Sequence, residues 1–336
     1  MKKFITPMAR AIALGAAVFA CFAASAQTPA ALPKLNITVF ESPSQSIWIP
    51  TLIQALQLDR KHGFELQVTP KPSKVAYTDF ASGADPVCYC NAIAAVARFK
   101  QQGSDITLLW NIFDFGAYVL TNNPEIRTIK DLEGHTLQTD TISGNWVLTN
   151  WFLRAQGVDL SKVQIRSQTS SVASVAELQL KRIDSVGLNP TEASAAKLRT
   201  KGQLRAIDVV SPAAWKQATG TEQIPAIALG VWRSWYAKPE NQDLARRFYA
   251  ANKEAEAYIR SHPDDAAARV AGPAKIEKAI LQDVFANYTK LIDIRPMSDY
   301  RNTVAVLTQK LLPESKQLPR PLTDAELKDF VSDFKP

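Results

Sequence analysis

The chain has 336 residues, 46% of them apolar, with 39 Lys and Arg against 32 Asp and Glu. That apolar content excludes a disordered chain. The mild positive balance, without a concentrated basic patch, gives nucleic-acid binding no electrostatic support. Residues 1–26 hold three of the basic residues and no acidic one, so the remaining 310 carry 36 against 32, a formal +4. This length suits two domains.

Lys2, Lys3 and Arg10 head an uncharged run, Ala11 to Ala24, that closes on Ala24-Ser25-Ala26. This is the three-part pattern of a secretory signal peptide, and residues 1–26 are read as one. Lipidation at Cys21 is disfavoured, because Phe19 stands two residues before it and the apolar run continues after it. No later apolar segment has the length of a membrane span. Beyond the signal segment only Cys88 and Cys90 remain. Two small buried thiols are the favoured reading, and a strained disulfide is the alternative.

Leu35 to Phe40 alternates apolar and polar residues and opens the fold as a strand. The polar loop Glu41 to Ser46 follows, then a helical pattern from Ile49 to Leu58 that ends at Gly63, and a second strand, Phe64 to Val68. Such a βαβ unit makes a parallel sheet. The spacing predicts further strands at Pro86–Cys90, Ile106–Ile112, Tyr118–Thr121, Thr136–Thr139, Val163–Ile165, Ser185–Leu188 and Ala226–Val231. Helices are predicted over 75–81, 91–102, 128–134 and near 174–180. After 231 the chain reads as largely helical.

At 139–153 the chain reads TDTISGNWVLTNWFL. Val147, Leu148, Trp151, Phe152 and Ala155 form one apolar helical face, so Thr141, Ser143, Gly144 and Asn145 stand at a helix start. The first N–H groups of a helix lack internal partners and lie at the positive end of its dipole. Gly144 permits close approach to the backbone. A cap needs only one of Thr141 or Ser143.

The order of these pieces resembles the periplasmic substrate-binding proteins of ABC importers, in the branch that handles nitrate, sulfonates, taurine and thiamine-precursor pyrimidines. The matching stretches are Lys61-His62-Gly63-Phe64, Phe80-Ala81-Ser82-Gly83, Thr128 to Gly134, Leu153 to Asp159, Ile224-Pro225-Ala226 and Ile259 to Ala267. Two stretches depart from the family's pattern. Cys88 to Asn91 stands where small residues are usual, and the loop at Asn189-Pro190 lacks the usual neighbouring aromatic. The resemblance implies a type II two-lobed α/β fold, each lobe a mainly parallel sheet flanked by helices, with the ligand cleft between them. One lobe would comprise 35–117 and 228–336, the other 118–227, with hinges near Phe115-Gly116 and Pro225-Ala226.

Ligands of open α/β sheets sit beyond the C-terminal strand ends. On that fold the ligand-binding candidates are Ser42, Gln45, Ser46 and Trp48 after the first strand, Asn91 after the third, and Phe113 and Asp114 after the fourth. Thr141, Ser143, Gly144 and Asn145 follow at the helix start, and Asn189 and Glu192 in the loop after Leu188. Trp48 serves equally as cleft wall or core, Asp114 as ligand acceptor or hinge partner, and Glu192 as acceptor or helix cap beside Thr191. Trp232 and Trp235 are expected to pack under the hinge. His62, His135 and His262 stand at scattered turns, so no metal site is expected. No cofactor is implied.

Without a Gly-x-Ser-x-Gly, paired catalytic carboxylates or a cleft histidine, the expectation is a binding protein and no enzyme. It would be a monomeric periplasmic receptor that delivers a small molecule to an inner-membrane ABC permease with its cytoplasmic ATPase. The helix start points to a small organic anion such as a sulfonate. Glu41, Glu192, Phe113 and Phe115 favour a pyrimidine-like or aromatic ligand as the alternative. A sensory ligand-binding module is the other open role.

Overall fold

The computed structural model describes residues 31–41, 44–141, 144–168 and 170–336. The signal-segment reading, Cys21, and the candidates Ser42 and Ser143 lie outside them. Two sheets organise the chain. The first has the order β11-β4-β10-β3-β1-β2, from β1 (Lys34–Phe40), β2 (Glu65–Lys71), β3 (Val87–Ala92), β4 (Ile106–Asp114), β10 (Pro225–Trp232) and β11 (Ile292–Pro296). The second has the order β7-β6-β8-β5-β9, from β5 (Tyr118–Thr121), β6 (Thr136–Thr139), β7 (Gln164–Ser167), β8 (Ser185–Leu188) and β9 (Arg205–Asp208). Leu32–Pro336 form one compact unit.

The alternation of β1 puts Leu35, Ile37 and Val39 into the core, in parallel register with β2 from Lys34↔Glu65 to Phe40↔Lys71. β4 is apolar without alternation, because it lies between β10 and β11 and is covered on both faces. The Pro239–Ser261 helix turns Leu244, Phe248, Ala251, Ala255 and Ile259 inward at helical spacing. No helix among the described residues is long and apolar enough to cross a membrane.

The pairing is mixed within each sheet. β1 pairs in parallel with β2 and β3, and β6 with β7 and β8. β10 and β11 run antiparallel to β4, and β5 runs antiparallel to β8 and β9. The reason is connectivity: the chain leaves the first sheet at the end of β4 and re-enters it in β10, so outgoing and returning strands oppose each other. Two of the antiparallel strands, β9 and β11, have no counterpart in the sequence reading, which takes the C-terminal third as helical. They are short edge strands, five residues or fewer. The helix Pro212–Thr219 likewise has no counterpart in that reading, whereas the Pro190–Arg199 helix is the one that the reading of Glu192 as a cap implies. The helix expected at 128–134 is a 3-10 turn, Ile129–Leu132, closed by a Thr128/Asp131 capping box.

β3 corrects the cysteine reading. Opposite it, β10 shifts register, with Ala228 facing Asn91 and Gly230 facing Cys88, so β3 carries one extra residue as a bulge. The bulge brings the Cys88 and Cys90 Cα atoms to 5.4 Å, and the two are joined by a disulfide. In a straight strand two residues span about 6.6 Å.

Candidate functional site

The C-terminal ends of β1, β4, β6 and β8 converge on one cavity of about 1110 Å³, bordered by Phe40, Asp114, Asp140 and Asn189. That volume lies just above the usual range for small-molecule sites, about 300–1,000 Å³. The two sheets are joined next to it. Phe115 N–H donates to the Ile224 carbonyl at 2.7 Å, and Asp114 stands opposite Pro225 in the β4–β10 register. Gly116 sits in the outgoing passage, where a Cβ would come within 2.7 Å of Leu291 Cδ1 and 2.9 Å of Pro190 Cγ.

The wall on the side of the first sheet is aromatic. Trp48 starts the Trp48–Ala55 helix, borders the cavity and is only 2% exposed. Its ring meets Phe113 and Phe285 edge-on at 5.9 and 5.5 Å. Trp48 is therefore both core and cavity wall. Its indole N–H is buried and has no hydrogen-bond partner among the described residues. Ser44 and Ser46 lie beside it but spend their hydroxyls locally. Ser44 caps the 3-10 turn Gln45–Ile47 through Ser46 N–H, and Ser46 Oγ accepts from Phe40 N–H at 3.0 Å. Gln45 Nε2 donates to Thr191 Oγ1 at 3.2 Å, which ties this wall to the opposite one.

Asp114 closes the floor. Its Oδ1 accepts from Asn111 Nδ2 at 2.9 Å, and Asn111 Nδ2 also donates to the Asp293 carbonyl at 2.9 Å. Burial, and then the neighbouring Asp293 charge, push the Asp114 carboxyl up to about 7, against hydrogen bonds from Ile224 N–H and Asn111. Arg295 stands close by but is paired with Asp293 Oδ1 at 2.7 Å, and Asp293 Oδ2 also accepts from the Tyr300 hydroxyl.

The wall on the side of the second sheet is polar. Asn189 caps the Pro190–Arg199 helix. Its Oδ1 accepts from Glu192 N–H at 3.0 Å, and Asn189 N–H donates back to Glu192 Oε2 at 3.1 Å. Glu192 thus caps the helix with Asn189, and Thr191 makes the link to Gln45 instead. Burial raises the Glu192 carboxyl and the Asp140 charge adds to this, while bonds from Asn189 N–H and Ser171 oppose it. Asp140, Asn145, Asn189 and Glu192 also border a side pocket of about 110 Å³ that runs to Thr139, Thr149 and Gln168. Gln168 Oε1 is buried there with no partner among the described residues.

Of the sequence candidates, Gln45, Ser46, Trp48, Phe113, Asp114, Asn145, Asn189 and Glu192 border the cavity. Asn91 does not. It lies inside β3, fully buried, and donates to the Cys88 carbonyl at 2.8 Å. The bulge turns it toward β10, where it fills the space that Gly230 leaves open, and Cys90 borders the cavity in its place. Thr141 donates to Ser167 Oγ at 3.1 Å and is not at the cavity. Gly144 is the first residue of the Gly144–Ala155 helix. Trp232 donates to the Phe80 carbonyl at 2.6 Å and packs on Gly83, away from the site. Sequence reasoning missed Asp140 and the rim from Ser171 to Gln179. Asp140 was legible as the residue directly after the β6 strand, whereas the rim comes from helix faces that only packing assigns.

A scan against family models matches residues 60–266 to the family described as NMT1/THI5 like. The chain belongs to this family. No curated protein matches the chain by sequence. By structure it is similar to the periplasmic aliphatic sulphonate binding protein SsuA from Escherichia coli, with a TM-score of 0.68 at 16% identity over 90% of this chain and 92% of that one. It is also similar to the alkanesulfonate-binding protein SsuA from Xanthomonas axonopodis pv. citri bound to MOPS (TM-score 0.64, 13% identity, 89% and 98% covered). A Candida albicans gene product described as exhibiting the generic periplasmic binding protein structural fold matches with a TM-score of 0.60 at 16% identity, over 91% and 98%. The fold is that of the periplasmic binding proteins, two lobes with a cleft between them.

Proposed function

We propose that the protein is an exported receptor that captures a small organic solute in the inter-lobe cavity and delivers it to an inner-membrane ABC permease with its ATPase. In this reading residues 1–26 are removed on export, and the chain works as a monomer in the periplasm. The lobes, 35–117 with 228–336 and 118–227, close by bending at Phe115-Gly116 and Pro225-Ala226. The observation that carries the reading is the cavity itself: one large space at the strand ends of both sheets, aromatic on one wall and polar on the other, beside two paired chain passages. Cys90, the sulfur at the cavity, is bonded to Cys88 and offers no thiolate, which supports capture without catalysis.

Of the two ligand classes raised by the sequence, the cavity supports the aromatic or pyrimidine-like one. A sulfonate would need donors and positive charge. The Pro190–Arg199 helix start is closed by its own capping box, and Asp140 stands beside the other helix start. Trp48, Phe113 and Phe115 offer a flat body the edges and faces it packs against.

Denaturing the purified protein and analysing the released small molecules by mass spectrometry tests the proposal. The expected result is a released compound that binds back one per chain, and whose uptake stops in cells lacking the protein. At a thousandfold its dissociation constant it should add about 4 kcal/mol of stability. A protein that releases nothing, and that no small molecule stabilises, would sink the receptor reading.

A further inference from the structure

The charges around the cavity are lopsided. Among the described residues that border it, Glu41, Asp114, Asp140, Glu192 and Glu277 oppose only Arg199 and Lys275, and Arg199 is paired with Glu277 at 3.5 Å. Three of the carboxylates, Asp114 at the floor and Asp140 and Glu192 on the opposite wall, stand at strand ends or in the first turn after one. Trp48 lines this cavity and Gln168 the side pocket, and the Trp48 indole N–H and Gln168 Oε1 lack a partner among the described residues. A bound molecule with an acceptor and a donor could satisfy them.

We infer that the solute is an organic cation. Its charged, donor-bearing nitrogen enters the side pocket between Asp140, Glu192 and Gln168, and its body lies against Trp48 and Phe113. This deepens the receptor reading and rests on it. A buried charge is tolerated when it is paired and hydrogen-bonded, and a cation here would pair with carboxylates that already share a cavity. An anion would add to a like-charged set in a partly desolvated space, where repulsion is least screened.

Protons supply an independent readout. Asp114 faces Asp293, Arg295 and Tyr300 across its strand, and Glu192 faces Asp140, Asn189 and Ser171. Both carboxyls are held above their ordinary range, Asp114 to about 7. A cation in the cavity stabilises their ionised forms, so its binding releases protons. Affinity then rises with pH as Glu192, the raised carboxyl beside the nitrogen, ionises. A ligand read by protonated carboxyls, or an anion, gives the opposite slope.

The test is titration calorimetry and thermal unfolding of the purified protein with probes that share one benzene ring. Benzylamine, benzamidine and tyramine are the cations, benzyl alcohol and benzamide the neutral compounds, and benzoate and benzenesulfonate the anions. The expected result is binding of one or more cations, tighter at pH 8 than at pH 6, with protons released. Glu192→Gln retains an acceptor for the helix cap and should weaken cation binding roughly ten- to a hundredfold, the worth of a charged hydrogen bond. Its unfolding midpoint shows whether the fold survives. Binding by anions or neutral compounds without the cations overturns the cation and leaves the receptor reading standing. So does affinity that falls with rising pH. A protein that answers no probe overturns the cation, and if it also releases no solute on denaturation, the receptor reading falls with it.

Discussion

The two walls of the cavity are built on opposite principles. The wall on the first sheet is core turned toward a ligand: Trp48 and Phe113 pack edge to face, with Phe285 behind them, and all three are buried. The wall on the second sheet is made of helix beginnings and strand ends, where Asn189 and Glu192 satisfy backbone groups first and face the cavity second. Shape on the first wall is therefore inseparable from stability. Polarity on the second can change at small cost to the fold.

Substitutions on the first wall break this contrast most strongly. Trp48→Ala removes a buried aromatic and should cost about 3–5 kcal/mol, read by denaturant unfolding. A loss below about 1 kcal/mol would mean that Trp48 is a ligand contact alone. Asp114 comes next. Its carboxyl is raised from 3.8 to about 7, so the folded state holds the proton more tightly than the unfolded one. That contribution is fully present below about pH 4 and is lost as pH rises through 7, a loss of up to about 4 kcal/mol. Asp114→Asn should remove it, so that the variant gains on the wild type between pH 5 and pH 8. Parallel stability curves across that range would show that the carboxyl is not desolvated.

Gly230→Ala probes how tightly the first wall is backed. A Cβ there would come within 2.3 Å of Asn91 Nδ2 and 3.1 Å of Phe80 Cζ, and overpacking of this kind costs about 1–3 kcal/mol. Asn189→Ala, on the second wall, removes a helix cap and should cost only about 1 kcal/mol, leaving the near-ultraviolet signal of Trp48 unchanged. If Asn189→Ala cost as much as Trp48→Ala, the contrast between the walls would be wrong. The Cys88→Ala/Cys90→Ala pair should cost about 1.5 kcal/mol, because a bridge across so short a loop constrains the unfolded chain little.

Much of this was legible in the chain, for local reasons. β5, β6 and β8 stand where short apolar runs between turn residues placed them, and eight of the site candidates border the cavity. Asn91 shows the limit. Polar and placed after a strand of small apolar residues, it reads as a ligand contact. One extra residue in β3 turns it inward and brings Cys90 to the cavity.

By itself, then, the sequence determined the alternation that makes the strands, the caps that start the helices, and the residues that end the strands. These depend on neighbours within a few positions. Tertiary structure alone decided the pairing of edge strands β9 and β11, the Cys88–Cys90 bridge and the carboxylate excess around the cavity. Each of these brings together groups far apart in the chain, or depends on a register that the partner strand sets. The charge excess in particular is a sum over both walls, which no single stretch of sequence contains.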